Sequence, residues 1–263
     1  MDHASIKYIF KLSIPIFFAN LAIPLVGIVD TALMGNLEKT NYLTAASIAS
    51  NFFSMLFWSF GFLRMGTVGM VSHEFGKDNF ESIYNIFIRN LIFVIFISLI
   101  IILFQLYLLK ICLNIFDLKE QTKILFENYF KIRVYSAPGE LSIYIITGLF
   151  VGLRKTFVSS LAVGVLSLLN IIISFYLVVY KGLNIKGVAY GTLISSYITS
   201  IVFIIYTFNY LGLFIKLRIK FSKILNFRDL KNIFNINFNI FIRTILLTFS
   251  FFWFTYSGNK IGE

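Results

Sequence analysis

Two carboxylates stand in stretches that are otherwise apolar enough to lie in lipid. Asp30 closes the run Pro24-Leu25-Val26-Gly27-Ile28-Val29, and Glu140 follows Ala137-Pro138-Gly139. A carboxylate held in hydrocarbon needs water, a cation or a proton to be tolerated. Such a group is suited to binding and releasing a small cation. Two carboxylates sharing one cavity repel each other, so one of them readily carries a proton, which is what proton coupling requires. Asp30 and Glu140 are therefore the candidate coupling residues. Asn20, Asn170, Ser174, Thr192 and Tyr144 are candidate cavity-lining groups. Arg64, in Phe60-Gly61-Phe62-Leu63-Arg64-Met65-Gly66, is a cation inside an apolar stretch with a structural or gating role. No catalytic role is assigned to any residue.

The elements that must position these groups are membrane helices. Of 263 residues, 58% are hydrophobic and 13% charged, and the mean hydropathy is +0.85. Soluble domains carry about 25% charged residues. Crossing a bilayer takes about 20 apolar residues per helix, and seven such stretches are expected, near 10–34, 46–72, 88–109, 133–153, 157–180, 186–210 and 238–257. The first is too long for the core of a cleaved signal peptide and is read as a retained span. With the N-terminus in the cytoplasm, the inside Lys and Arg outnumber the outside ones, as the positive-inside rule asks. The segment from Lys216 to Lys231 carries most of that bias and has Leu217, Phe221, Ile224 and Leu225 at helical spacing. It is expected to be a cytoplasmic linker or an amphipathic surface helix. The stretch from Lys110 to Lys131 is read as an outer loop.

Depth brings the polar groups together. At 1.5 Å per residue, Asp30 and Glu140 fall within about 6–11 Å of the outer boundary. Asn170 and Ser174, one turn apart on span 5, and Thr192 on span 6 share that layer. Spans 1, 4, 5 and 6 are thus expected to enclose a polar cavity in the outer half of the membrane. For the Ser and Thr residues the favoured reading is hydrogen bonding between helices. Arg64 lies about 20 Å deeper than Asp30 and is not paired with it. Span 3, interrupted only by Ser98 and Gln105, is expected to face lipid.

Several function classes fall away. The net charge of +11 has no solvated domain to present it, so no nucleic-acid partner is expected. A single cysteine, Cys112, allows neither an intrachain disulfide framework nor a multi-cysteine metal site. Nucleotide-binding, zinc-protease and hydrolase motifs are missing, so neither an enzyme nor a resident cofactor or metal is expected. Membrane lipid is the expected surrounding.

Ile14-Pro15 through Pro24-Leu25-Val26-Gly27-Ile28-Val29-Asp30-Thr31 resembles the first helix of the multidrug and toxic compound extrusion (MATE) family. Phe57-Trp58-Ser59-Phe60-Gly61-Phe62-Leu63-Arg64-Met65-Gly66-Thr67 is similar to its DNA-damage-inducible protein F subgroup. Gly187-Val188-Ala189-Tyr190-Gly191-Thr192 and Asn237-Ile240-Phe241-Ile242-Arg243-Thr244 resemble the starts of helices 6 and 7. The resemblance implies an all-α polytopic membrane protein of two six-helix lobes, exporting drugs or other organic compounds in exchange for H⁺ or Na⁺. On this resemblance Asp30 is the cation-linked residue, with Asn170 and Thr192 beside it. Ser174 stands where many relatives carry an aspartate, and Glu140 is a candidate to compensate for it. Residues 1–212 are then the N-terminal lobe, 213–237 the basic linker and 238–263 the seventh helix. The chain ends where an eighth helix is expected, so a C-terminal lobe or a second subunit is needed for a transport cycle. The implied location is the bacterial plasma (inner) membrane, multi-pass. A lipid-linked oligosaccharide flippase of the same superfamily, and a non-transporting truncated product or scaffold, are the alternatives.

Overall fold

The computed structural model describes residues 3–37, 40–116 and 118–212, then 235, 237–244 and 246; several α1 side chains before Leu25 lie outside the described part. Every regular element among the described residues is helical. In chain order they are α1 (His3–Gly35), α2 (Thr40–Trp58), α3 (Phe62–Phe75), α4 (Phe80–Leu103), α5 (Gln105–Phe116), α6 (Glu120–Arg133), α7 (Ala137–Gly152), α8 (Thr156–Phe175) and α9 (Asn184–Gly212). Among the described residues, five helical stretches are long and apolar enough to cross a membrane: Thr40–Phe75, Phe80–Leu103, Glu120–Gly152, Thr156–Tyr180 and Asn184–Gly212. These stretches correspond to expected spans 2 to 6. Span 1 corresponds to α1. Most of the linker and the latter part of span 7 lie outside the described residues.

Each long stretch breaks for a chemical reason. The second crossing divides into α2 and α3 at Ser59-Phe60-Gly61, where the Ser59 hydroxyl donates to the Leu56 carbonyl at 2.6 Å. Gly61 has its would-be Cβ only 3.1 Å from the Trp58 carbonyl. Small residues and side-chain insertion into the backbone ladder are the usual origins of such kinks. The fourth crossing tightens into a 3₁₀ turn at Val134–Ser136. Pro138, in the first turn of α7, supplies no N–H to the carbonyl four residues back and crowds it. The turn carries the chain from α6 into α7 without leaving the bundle. The turn between α3 and α4 is stapled by Glu74, which accepts from Lys77 at 3.2 Å and Asn79 at 3.1 Å. Asn79 also caps α4, its Oδ1 accepting from the Ser82 N–H at 3.1 Å. Asn79→Ala is expected to lower stability by about 1 kcal/mol, read as a downward shift in thermal unfolding.

The expected outer loop from Lys110 to Lys131 is instead mostly helix, in α5 and α6. The reason is amphipathicity. α6 buries Thr122, Phe126, Tyr129, Phe130 and Arg133 along one face and leaves Glu120, Lys123, Glu127 and Lys131 on the other. A hydropathy window averages the two faces and reads a loop. Together α6 and α7 run for 33 residues, about 50 Å if straight, against a hydrocarbon core of about 30 Å. The charged half of α6 therefore extends beyond the lipid.

α1 packs on α8, α8 on α9, α3 on α7, and α2 on α6. On α4, Ile92, Phe96, Leu99 and Leu103 are exposed along one stripe, while Asn90, Val94, Ser98 and Ile101 are buried. This is a lipid-facing helix that turns its few polar groups inward. Where glycines line a crossing, the backbones nearly touch. A Cβ on Gly139 would sit 2.9 Å from the Ser196 carbonyl carbon, and one on Gly191 would sit 2.9 Å from both N and Cα of Ser174. Small residues permit this approach in membranes. The helical residues near 240 lie against α3, with Phe241 edge-on to Phe62 at 5.4 Å between ring centroids.

Candidate functional site

A cavity of about 610 Å³ opens between the helices. Its polar wall carries Asp30 from α1, Tyr129 and Arg133 from α6, Glu140 and Tyr144 from α7, Asn170 from α8 and Thr192 from α9. Its apolar wall includes Phe57, Trp58 and Leu166. A smaller chamber of about 250 Å³ lies beside it, lined by Thr31, Ser47 and Asn51 among others. Asp30, Gly27, Ser50 and Tyr129 line both spaces, so Asp30 stands where they meet.

Asp30 Oδ1 is buried with no hydrogen-bond partner among the described residues. An unpaired carboxylate oxygen away from water is costly unless a proton or cation completes it. Asn170 presents a second such acceptor. Its Nδ2 donates to Thr192 Oγ1 at 2.9 Å. The Thr192 hydroxyl itself donates to the Val188 carbonyl at 3.2 Å, so it can only accept from Asn170. That fixes the amide's orientation and leaves Asn170 Oδ1 buried without a donor. Two orphaned acceptor oxygens thus belong to residues lining one cavity.

Glu140 lies in the expected cavity but is not a second free carboxylate. Arg133 pairs with Glu140 and also donates to the Ser136 hydroxyl. Ser136 Oγ donates in turn to the Arg133 carbonyl at 2.7 Å. The guanidinium stands 5.4 Å and 5.3 Å from the ring centroids of Phe53 and Phe57, close enough for cation–π attraction. Arg133 is only 9% exposed. The repulsion expected between two neighbouring carboxylates is thus offset by a cation. Arg133 stands at the edge of the expected fourth span, 133–153, and is not among the candidate residues read from the sequence. One sequence signal pointed to it. Arg133 and Glu140 are seven residues apart, two helical turns, and so share a face if the helix runs through.

The remaining expectations divide. Tyr144, Asn170 and Thr192 line the cavity. Ser174 does not; it is fully buried against Gly191 of α9. The Asn20 side chain lies outside the described part. Arg64 is half-buried on α3 and away from the cavity lining. Its charge acts electrostatically on the Tyr144 hydroxyl, and its backbone abuts Gly148 of α7. Hydrogen bonds between helices do not account for most of the Ser and Thr stripes. Thr147, Ser195 and Ser196 donate to carbonyls of their own helices, at 2.8, 3.0 and 2.8 Å. They are polar groups satisfied locally. The Asn170–Thr192 bond does cross helices, as does Asn90 Nδ2 to Thr67 Oγ1 at 3.1 Å. Among the described residues, no cluster of three or more His, Cys, Asp or Glu is disposed to hold a metal.

The fold and the cavity define a polytopic helical membrane protein with a buried acidic site. The MatE family profile matches residues 15–176, and the chain belongs to that family. It is 28% identical over 266 residues to DNA damage-inducible protein F of Escherichia coli (strain K12), covering 99% of this chain and 56% of that protein. It is 26% identical over 249 residues to the multidrug export protein MepA of Staphylococcus aureus (strain NCTC 8325 / PS 47), covering 93% of this chain and 54% of that protein. Its fold is similar to that of a multidrug resistance MATE family transporter solved in an outward-facing conformation, with a TM-score of 0.81 at 20% identity over 94% of this chain and 54% of the other. A MOP superfamily transporter from Pyrococcus furiosus, described as having a binding pocket of reverse polarity, is similar with a TM-score of 0.80 at 20% identity, over 94% and 54%. The chain spans about half the length of the curated relatives it matches.

Proposed function

We propose that this chain forms the ion-coupling lobe of a cation-coupled antiporter that exports drugs or other organic compounds across a bacterial plasma membrane. Asp30 alternately holds the coupling ion, H⁺ or Na⁺, and yields to a cationic substrate. The observation that carries this reading is the orphaned Asp30 Oδ1 in a cavity with aromatic and apolar walls. Asn170 Oδ1 adds a second acceptor for the ion. Trp58, Phe57 and Leu166 offer the apolar surface that a lipophilic organic cation needs. Likeness to export proteins of the same family supports the same reading. The distribution of Lys and Arg supports a cytoplasmic N-terminus. Alternating access requires a second lobe or a partner subunit moving against this one.

Trp58 supplies a local reporter, because the other tryptophan, Trp253, can be replaced by Phe. Titrating tetraphenylphosphonium into the Trp253→Phe chain in lipid nanodiscs is expected to change Trp58 fluorescence saturably. Raising either H⁺ or Na⁺ is expected to weaken the apparent affinity. A response that does not saturate, or one indifferent to both ions, would overturn the reading.

A further inference from the structure

Three ionisable side chains meet in the large cavity, and two of them, Arg133 and Glu140, form an ion pair. Arg133 is held by Glu140, Ser136, Phe53 and Phe57. Its charge also acts on Asp30 across the cavity. The other titratable groups on the wall, Tyr129 and Tyr144, are phenols, uncharged near neutral pH. With Asp30 deprotonated, the cavity carries one uncompensated negative charge. We propose that Arg133 is an internal counter-cation that cancels Glu140 and tunes the cavity for ligands bearing a single positive charge.

The inference rests on the reading of Asp30 as a cation site, and concerns a different pair of residues. Its content is a charge count. Removing Glu140 frees the guanidinium, and the remaining carboxylate on the cavity wall is Asp30. Arg133 then becomes the counter-ion of Asp30, and the cavity is neutral. Glu140→Gln thus loses cation binding although Glu140 is not the residue that receives the cation. Removing Arg133 leaves two uncompensated carboxylates, and the cavity favours a dication. Removing both restores the single charge of Asp30.

The test is equilibrium binding to the chain in nanodiscs, read by Trp58 in the Trp253→Phe background. The probes are tetraphenylphosphonium, a monocation, and methyl viologen, a dication. Glu140→Gln is expected to weaken the monocation about tenfold or more. Arg133→Gln is expected to shift the ratio of the two affinities toward the dication by a similar factor. The double variant is expected to bind the monocation within about threefold of the parent, a recovery that the charge count requires and additive damage does not give. Parent-like monocation binding by Glu140→Gln would overturn the inference, as would a double variant no better than Glu140→Gln. The gain in dication affinity is something a misfolded protein does not show, so the Arg133→Gln arm decides the matter if Glu140→Gln fails to fold. Asp30→Asn is run alongside. If it binds like the parent, the cation-site reading itself falls. If it loses binding while Glu140→Gln does not, only the role of Arg133 falls.

Discussion

Asp30→Asn is expected to weaken tetraphenylphosphonium binding about 30-fold or more and to remove its dependence on H⁺ and Na⁺. The magnitude follows from the environment. Removing one partner of a close, desolvated charge pair costs about 2–5 kcal/mol, and each 1.4 kcal/mol is about tenfold in affinity. Asparagine keeps the size and shape of the side chain, so little packing changes. Asp30 Oδ1 has no hydrogen-bond donor among the described residues, so no internal bond to that oxygen is lost. Thermal stability should therefore hold steady while binding collapses. A fall in both together would mark Asp30 as structural.

The second large effect concerns the scaffold. Gly148→Val is expected to destabilise the bundle by about 3 kcal/mol, enough to deplete the folded protein. At Gly148, α7 crosses α3 so closely that a Cβ would lie 2.7 Å from the Arg64 carbonyl oxygen and 2.9 Å from Thr67 Cβ. One of these contacts is backbone, which cannot rotate away as a side-chain tip can. Separating α7 from α3 would disturb Glu140 and Tyr144, which α7 carries into the cavity, and would loosen the Asn90–Thr67 bond behind them. Thermal unfolding and size-exclusion profiles of the variant in nanodiscs measure the effect. An unchanged melting transition would show that the crossing tolerates separation.

The membrane architecture was legible in the sequence because lipid imposes a single strong requirement: long apolar runs with satisfied backbones. Asp30, Asn170 and Thr192 were legible for the same reason, since polar groups stand out against such runs. Arg133 was not. It lies at the end of an amphipathic helix whose exposed face carries charge, and hydropathy averaging hides the buried face. The expected span 133–153 begins at Arg133, where a cation reads as the end of a span and not as a partner for Glu140, although their spacing places them on one face. Ser174 shows the opposite failure. It has the right depth and spacing for the cavity, yet the closeness of α8 and α9 at Gly191 seals it away. Depth and periodicity identify a layer and a face; they do not give the distance between two helices.

In the proposed function a cationic substrate and the coupling ion exclude each other at Asp30. Counting the ions displaced when the substrate binds tests it most directly. Tetraphenylphosphonium would be added to the chain in weakly buffered nanodiscs, with a pH electrode following H⁺ and radioactive sodium following Na⁺. Mutual exclusion predicts about one charge released per cation bound, as H⁺ or Na⁺, and none from Asp30→Asn. Saturating cation binding with no ion released by the parent protein would contradict the account.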